Sequence, residues 1–246
     1  MSKSIVLVTG GNSGIGYELV RQLLQDPSKH VLLGARSVTK GETAVESLRD
    51  LQLPGTVELL EIDIANDDSV HAAAKKVDSF HGRLDALVNN AAHNGLDGAN
   101  TAEKLRKCLP TNVVAPVVVG DAFEPLLKKS VGTPRILNLS SLSGSINHRL
   151  DKTSWFYDDT QATAYRISKA ALNMVSADQS VRYAEAGIKV FAYCPGFTIS
   201  NFSYANTAEY GARPTSESVA PMLKVLNGER DAEKGGFLHD AGQHPW

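Results

Sequence analysis

Residues 9–16 read Thr9-Gly10-Gly11-Asn12-Ser13-Gly14-Ile15-Gly16, a glycine-rich stretch between an apolar run at 5–8 and an amphipathic run at 15–25. A strand that turns directly into a helix through glycines lets the backbone come close to a pyrophosphate, which then rests on the free N–H groups of the helix N-terminus. The spacing is Gly-x-x-x-Gly-x-Gly rather than Gly-x-Gly-x-x-Gly, so the usual dinucleotide pattern is not met as written. A tight turn with no ligand is the competing reading. The strand before it and the helix after it fall where a nucleotide site needs them, which makes Gly10, Asn12, Ser13, Gly14, Ile15 and Gly16 candidate cofactor contacts.

Outward from this turn, short apolar runs at 5–8, 30–33, 57–62, 84–88, 135–139 and 189–193 alternate with helix-like segments at 15–25, 38–51, 67–80, 102–129 and 162–186. Continuously apolar strands suit a parallel sheet covered on both faces, and strict alternation implies right-handed crossovers. The expectation is an α/β doubly wound parallel sheet in a single domain spanning 1–246, with a nucleotide-binding half at roughly 1–130 and a catalytic and substrate half at roughly 131–246. Residues 143–160 and 196–214 read as irregular loops, and 235–246 as a last edge strand.

The chain has 246 residues, 42% of them apolar and 21% charged, which is ordinary for one globular domain. A formal charge of −2 gives no support for a nucleic-acid or membrane surface. The two cysteines, Cys108 and Cys194, are far apart with no CxxC spacing, which points to a reducing compartment; Cys194 reads as a small buried hydrophobe. No window approaches the ~18 apolar residues of a membrane span, and the expectation is a cytoplasmic protein.

Arg36 follows the second apolar run in Gly34-Ala35-Arg36-Ser37. An acid at that strand end would bind the ribose 2′-hydroxyl of NAD, whereas an arginine accommodates a 2′-phosphate, so NADP(H) is favoured. A plain surface arginine is the alternative. Asp63 ends the third run and could accept from an adenine amino group or cap the next helix; Ile64 joins it as a candidate contact. Of the seven tyrosines only Tyr165 has a lysine, Lys169, four residues on. Residues i and i+4 share a helix face, and a cation beside a phenol favours the phenolate.

The chain resembles the classical short-chain dehydrogenase/reductase family, carbonyl-reductase-like branch, across nearly all its length. Four motifs carry the resemblance in order: Thr9 to Gly16, Asn89-Asn90-Ala91-Ala92, the group Ser141, Tyr165 and Lys169, and Pro195-Gly196. The resemblance implies a Rossmann-type fold. It implies Tyr165 as general acid, with Lys169 depressing its pKa and holding the nicotinamide ribose, and Ser141 bonding the substrate oxygen. It also implies Asn112 as the residue that holds a water near the lysine, although a buried asparagine kinking a helix reads as well. By the same resemblance Asn90 and Ala91 flank the adenosine ribose, while Pro195, Gly196, Thr198 and Ser200 border the nicotinamide. Ser-x-x-Gly matches Ser141 to Gly144, so neighbouring Ser140 is read as a loop hydroxyl bonded to the backbone.

Ser141 and Tyr165 are 24 residues apart, further than in most classical members. The added residues include His148, Trp155, Phe156 and Tyr157, which could wall a pocket or cover a dimer face. With Phe197, Phe202 and Tyr204 they suggest a bulky or aromatic ketone or aldehyde. His93 and His148 read as loop histidines, and no metal site is expected. The expected activity is NADPH-dependent reduction of a carbonyl substrate to an alcohol. NAD(P)-dependent alcohol oxidation and a non-catalytic dinucleotide-sensing protein are the alternatives, and the helices at 102–129 and 162–186 leave room for a homo-oligomer.

Overall fold

The computed structural model describes residues 3–154, 157 and 161–246. Strands β1 (Ser4–Thr9), β2 (Lys29–Ala35), β3 (Thr56–Glu61) and β4 (Ala86–Asn89) are separated by α1 (Gly14–Leu23), α2 (Val38–Asp50) and α3 (Asp67–His81). Then come α4 (Thr101–Leu109), α5 (Ala115–Leu127), β5 (Arg135–Leu139), α6 (Ile146–Leu150), α7 (Thr163–Arg182), β6 (Lys189–Tyr193), α8 (Thr215–Leu226), β7 (Phe237–His239) and β8 (Gly242–Gln243). They form one sheet in the order β3-β2-β1-β4-β5-β6-β7-β8. All pairings are parallel except that of β8 with β7.

Alternation along each strand builds two cores. Val6 and Val8 face Leu19, Val20 and Leu23 of α1, Val45 and Leu48 of α2, and Val219, Met222 and Val225 of α8. Ile5 and Leu7 face the other way, toward Val70 and Val77 of α3 and Phe123 and Leu126 of α5. Each such aliphatic side chain removed from water is worth roughly 1.5–3 kcal/mol, so a sheet covered on both sides is the stable arrangement for this pattern. The strand order reverses between β1 and β4, which opens a crevice at the carboxyl ends of the strands.

Four expectations change in detail. Residues 102–129 are not one helix: Pro110, which lacks an N–H, follows α4 and begins a π-helical turn, Pro110–Val114, before α5. Helix α8 adds an element beyond the helix-like segments read from the sequence, and it holds Pro221 in its interior. The stretch 143–160 is not wholly irregular, since a 3₁₀ turn at Leu142–Gly144 leads into α6, capped by Ser145. The tail supplies two short strands rather than one. Trp155 and Phe156 lie outside the described residues. Among the described residues no helix is long and apolar enough to cross a membrane.

A buried polar network places α7 under the centre of the sheet. Asn138 of β5 accepts from Asn89 of β4 at 2.8 Å and donates to Ser176 at 3.0 Å and Gln179 at 2.9 Å, both on α7. Asn138 and Gln179 are fully buried, so these bonds are costly to leave unmade and fix the helix in one position.

Candidate active site

The glycine turn is closed by hydrogen bonds from β4. Asn90 donates through Nδ2 to the carbonyls of Thr9 at 2.8 Å and Gly10 at 3.2 Å, and Thr9 Oγ1 accepts from the backbones of Asn90 and Ala91. Gly16 packs against this knot. A methyl there would stand 2.4 Å from the Gly10 oxygen and 2.5 Å from Asn90 Nδ2, so only glycine lets α1 start so close to the turn. Ser13 is the N-cap residue and leaves the first N–H groups of α1 without a side-chain cap.

A cleft of about 550 Å³ runs across the point where the strand order reverses. Gly10, Asn12, Ser13, Gly14 and Ile15 line it from the turn, Arg36 from the end of β2, and Asp63 and Ile64 from the end of β3. Asn90 and Ala91 line its middle, and Pro195, Gly196, Thr198 and Ser200 close it beyond β6. Asp63 does not cap α3; its Oδ1 accepts from Ala65 in a local turn, while Asn66 is the cap. Thr198 is buried, its hydroxyl 2.7 Å from Ser218 on α8, so it sets the loop rather than only facing the cleft. Lys40, in the first turn of α2, lines the cleft beside Arg36 and was missed. Its place three residues after the Ser37 cap, which faces the first turn toward the strand end, was the available signal.

At the inner end stand Ser141, Tyr165 and Lys169. Lys169 is 3% exposed and donates from Nζ to the Leu139 carbonyl at 2.7 Å. Burial pulls its ammonium down to about 8, with Cys194 and Cys108 opposing. The expected effect on the phenol is not what the protein alone shows. Burial raises Tyr165 well above the ordinary tyrosine range, Cys194 acts in the same direction, and only the Ser141 hydroxyl pulls it down. The ammonium lies over the ring, 5.5 Å from its centroid. Gly144 lets the 3₁₀ turn approach α7, since a methyl there would meet the Lys169 carbonyl carbon at 2.6 Å. Ser141 Oγ is 2.7 Å from Ser143 Oγ, whereas Ser140 bonds Asn173 and the Lys169 carbonyl.

Gly16 and Asn112 are the expected site residues that do not line the cleft. Asn112 sits in the π turn, 1% exposed. Its Oδ1 accepts from the His93 backbone at 2.7 Å, and its Nδ2 donates to the His93 carbonyl and to Ser168 Oγ, each at 2.9 Å. Those bonds tie the loop after β4 to α7 rather than reaching toward Lys169.

A second cavity, about 870 Å³, meets the first at Ser141, Tyr165, Gly196, Phe202 and Asn206. Leu96, Leu142, Cys194, Phe197 and Tyr210 give it a largely apolar wall. Phe202 stands edge-on to Tyr165, with ring centroids 5.5 Å apart. Of the expected pocket aromatics, Phe197 and Phe202 line it, whereas Tyr204 is exposed and His148 packs against His244. The arrangement puts a phenol and a serine hydroxyl where an elongated polar cleft opens into an apolar chamber.

The sequence pattern of the family described as short chain dehydrogenase matches residues 4–210. The short-chain dehydrogenase/reductase tropE of Talaromyces stipitatus is 33% identical over 262 residues, covering 98% of this chain and 97% of its own. Among solved structures, NADPH-bound carbonyl reductase from chicken fatty liver superposes with a TM-score of 0.84 at 30% identity, covering 100% of both chains. The carbonyl reductase Sniffer of D. melanogaster gives 0.82 at 28% identity, again over 100% of both.

Proposed function

The chain belongs to the short-chain dehydrogenase/reductase family, and from that premise we propose that it is an NADPH-dependent reductase. In this reading it converts a ketone or aldehyde to an alcohol, with Tyr165 as the proton donor. An oxidoreductase of this family binds a nicotinamide dinucleotide, and this chain's cleft suits one: uncapped N–H groups at α1, close-packed glycines, and a crevice at the strand ends. When bound, that cofactor supplies a hydride to the carbonyl carbon. Arg36 after β2 and Lys40 in the first turn of α2 both line the cleft and support a 2′-phosphate, hence NADPH over NADH.

One observation carries the reading: Ser141 and Tyr165 line both cavities at their junction. A carbonyl held there has its oxygen within reach of the Ser141 hydroxyl, which stabilises charge developing on it. Tyr165 delivers the proton to that oxygen, and burial keeps the phenol protonated until it is needed. The Lys169 ammonium, anchored on the Leu139 carbonyl, holds positive charge beside the ring as the phenol loses its proton. Leu96, Leu142 and Phe197 exclude water and favour a bulky or aromatic carbonyl compound. Exposed Ile167, Met174 and Val181, at heptad spacing on α7, support a homo-oligomer, and a cytoplasmic location agrees with the unpaired cysteines.

The test is Tyr165→Phe with a panel of ketones, aldehydes and quinones. NADPH binding, read by fluorescence, should stay near wild type while turnover falls by about 10²–10⁴-fold, the usual worth of a positioned proton donor. Undiminished reduction by the variant would remove the proposed role. For the cofactor, Arg36→Ala with Lys40→Ala should weaken NADPH at least ~10-fold and leave NADH unchanged, since only NADPH carries the phosphate those cations face.

A further inference from the structure

At the end of the sheet remote from the cleft, where β2 and β3 begin, His30, Glu58 and His81 converge. The parallel register pairs His30 with Thr56 and Leu32 with Glu58, so His30, Thr56 and Glu58 share one face of the sheet. Helix α3 covers that face through Val70, Ala73 and Val77 and ends on His81. Gly82, left-handed at φ 69°, closes the helix there and leaves His81 over the strand ends. His81 Nε2 lies 2.7 Å from Glu58 Oε1, and His30 Nε2 lies 3.7 Å from the same oxygen. One ligand atom from each of the three residues falls within 4.8 Å of the others.

The His81–Glu58 contact is short, whereas His30 stands further from the same carboxylate oxygen, at 3.7 Å. The Nδ1 of His30 is engaged by Thr56 Oγ1 at 2.8 Å, while its buried Nε2 has no hydrogen-bond partner. An imidazole oriented through one nitrogen by a protein hydroxyl, with the other aimed at a carboxylate, has the arrangement of a metal ligand and its supporting partner. Burial also holds this ring below the ordinary histidine range.

We propose that His30 Nε2, Glu58 and His81 Nε2 bind one divalent transition-metal ion, Zn²⁺ foremost, with water in the fourth position. Two imidazoles and one carboxylate select Zn²⁺, Cu²⁺ or Ni²⁺ over Mg²⁺ and Ca²⁺. Zinc bonds of about 2.0–2.1 Å in a tetrahedron set neighbouring donors roughly 3.3 Å apart. The two separations from Glu58 Oε1, 2.7 and 3.7 Å, lie on either side of that value, and the three ligand atoms lie within 4.8 Å of one another. Glu58, whose side chain is 44% exposed, leaves a path from solvent. Lys3 donates to Thr56 Oγ1 at 3.3 Å and opposes positive charge at His30 without blocking the site. Bound there, the ion joins β2, β3 and the end of α3, and it acts on stability rather than on the reaction.

Chelator-stripped full-length protein titrated with ZnCl₂ by calorimetry, and with CoCl₂ by visible absorption, tests this. The expected result is one saturable ion per chain, the ligand-field bands of a four-coordinate Co²⁺ site, and a higher Tm with Zn²⁺ but not with Mg²⁺. His30→Ala, His81→Ala and Glu58→Gln should each weaken Zn²⁺ by at least ~10-fold, on the scale of disrupted metal sites. His71→Ala, on the outer face of α3, should not, and NADPH affinity should be unchanged throughout. Absence of one-to-one binding, or full affinity retained in Glu58→Gln and His81→Ala, overturns the proposal. If His30→Ala fails to fold, as circular dichroism would reveal, the half-exposed Glu58 position decides alone.

Discussion

Replacing Lys169 by methionine should make the protein more stable at neutral pH while removing its activity. Lys169 is 3% exposed, and burial lowers its ammonium from 10.5 to about 8. Between those two values the unfolded chain holds a proton that the folded chain does not, so stability rises with pH across pH 8–10.5. Read downward, the folded state carries the full cost of the charged lysine below pH 8. A displacement of about 2.5 units at 1.36 kcal/mol each makes that cost about 3 kcal/mol.

Methionine avoids the cost but loses the bond to the Leu139 carbonyl, worth about 1–2 kcal/mol, so the net gain at pH 7 is about 1–2 kcal/mol. For a chain of this size that raises Tm by roughly 2–8 °C. At pH 10.5 the ammonium no longer costs anything, and the variant should be the less stable protein. Thermal unfolding of both proteins by circular dichroism from pH 7 to 10.5 reads the difference directly. A Tm gap that stays constant across that range, or a variant already less stable at pH 7, would refute the reasoning. Turnover should fall in the same variant below pH 8, where the wild-type ammonium still places positive charge beside Tyr165.

Three further outcomes follow from local geometry. Gly16→Ala drives a methyl to 2.4 Å from the Gly10 oxygen, and it should cost about 1–3 kcal/mol in urea unfolding together with at least ~10-fold in dinucleotide affinity; wild-type values for both would show that the turn is loose. Asn112→Ala strands the His93 N–H and C=O and should destabilise the protein by about 2–4 kcal/mol, read from the denaturation midpoint, with unchanged stability contradicting the assigned bonds. His244 is held down at about 4 by burial, with His239 and His148 adding to the effect and Asp240 opposing it. The folded state therefore refuses a proton that the unfolded state takes up between pH 6.5 and 4, and stability falls as pH drops through that window. His244→Gln should flatten the fall, and an identical acid limb in wild type and variant would assign the sensitivity elsewhere.

The fold was legible because its signals are short-range. The runs at 135–139 and 189–193 coincide with β5 and β6, since a strand buried on both faces is mostly apolar, with Asn138 the buried polar exception. Helix α8 escaped because Pro221 contradicts the local rule and packing of Val219, Met222 and Val225 overrides it. The members of the cleft were legible for the same reason as the strands: the turn, Arg36, Tyr165 and Lys169 each follow from the nearest strand or helix end. What spacing does not disclose is environment. A spacing of four from tyrosine to lysine places both on one face of α7. It does not tell that Leu139, Cys194 and Ser141, from two other segments, surround them. Nor does it tell that the cation settles over the ring.

That environment changes the mechanism's demands. With the phenol raised and the ammonium lowered to about 8, the lysine gives up its proton before the tyrosine does. The helix pair alone therefore does not make Tyr165 acidic. For Tyr165 to donate in the proposed reaction, the missing stabilisation of its phenolate must come from what occupies the two cavities, and the phenol should become more acidic in the cofactor complex than in the free protein. An ultraviolet titration of Tyr165, obtained as the difference between wild type and Tyr165→Phe with and without NADP⁺, should show the phenolate forming at lower pH only with the cofactor bound. Equal titrations in the two states would leave the donor with the wrong acidity and return the proton to another group at the junction, with Ser141 the first to examine.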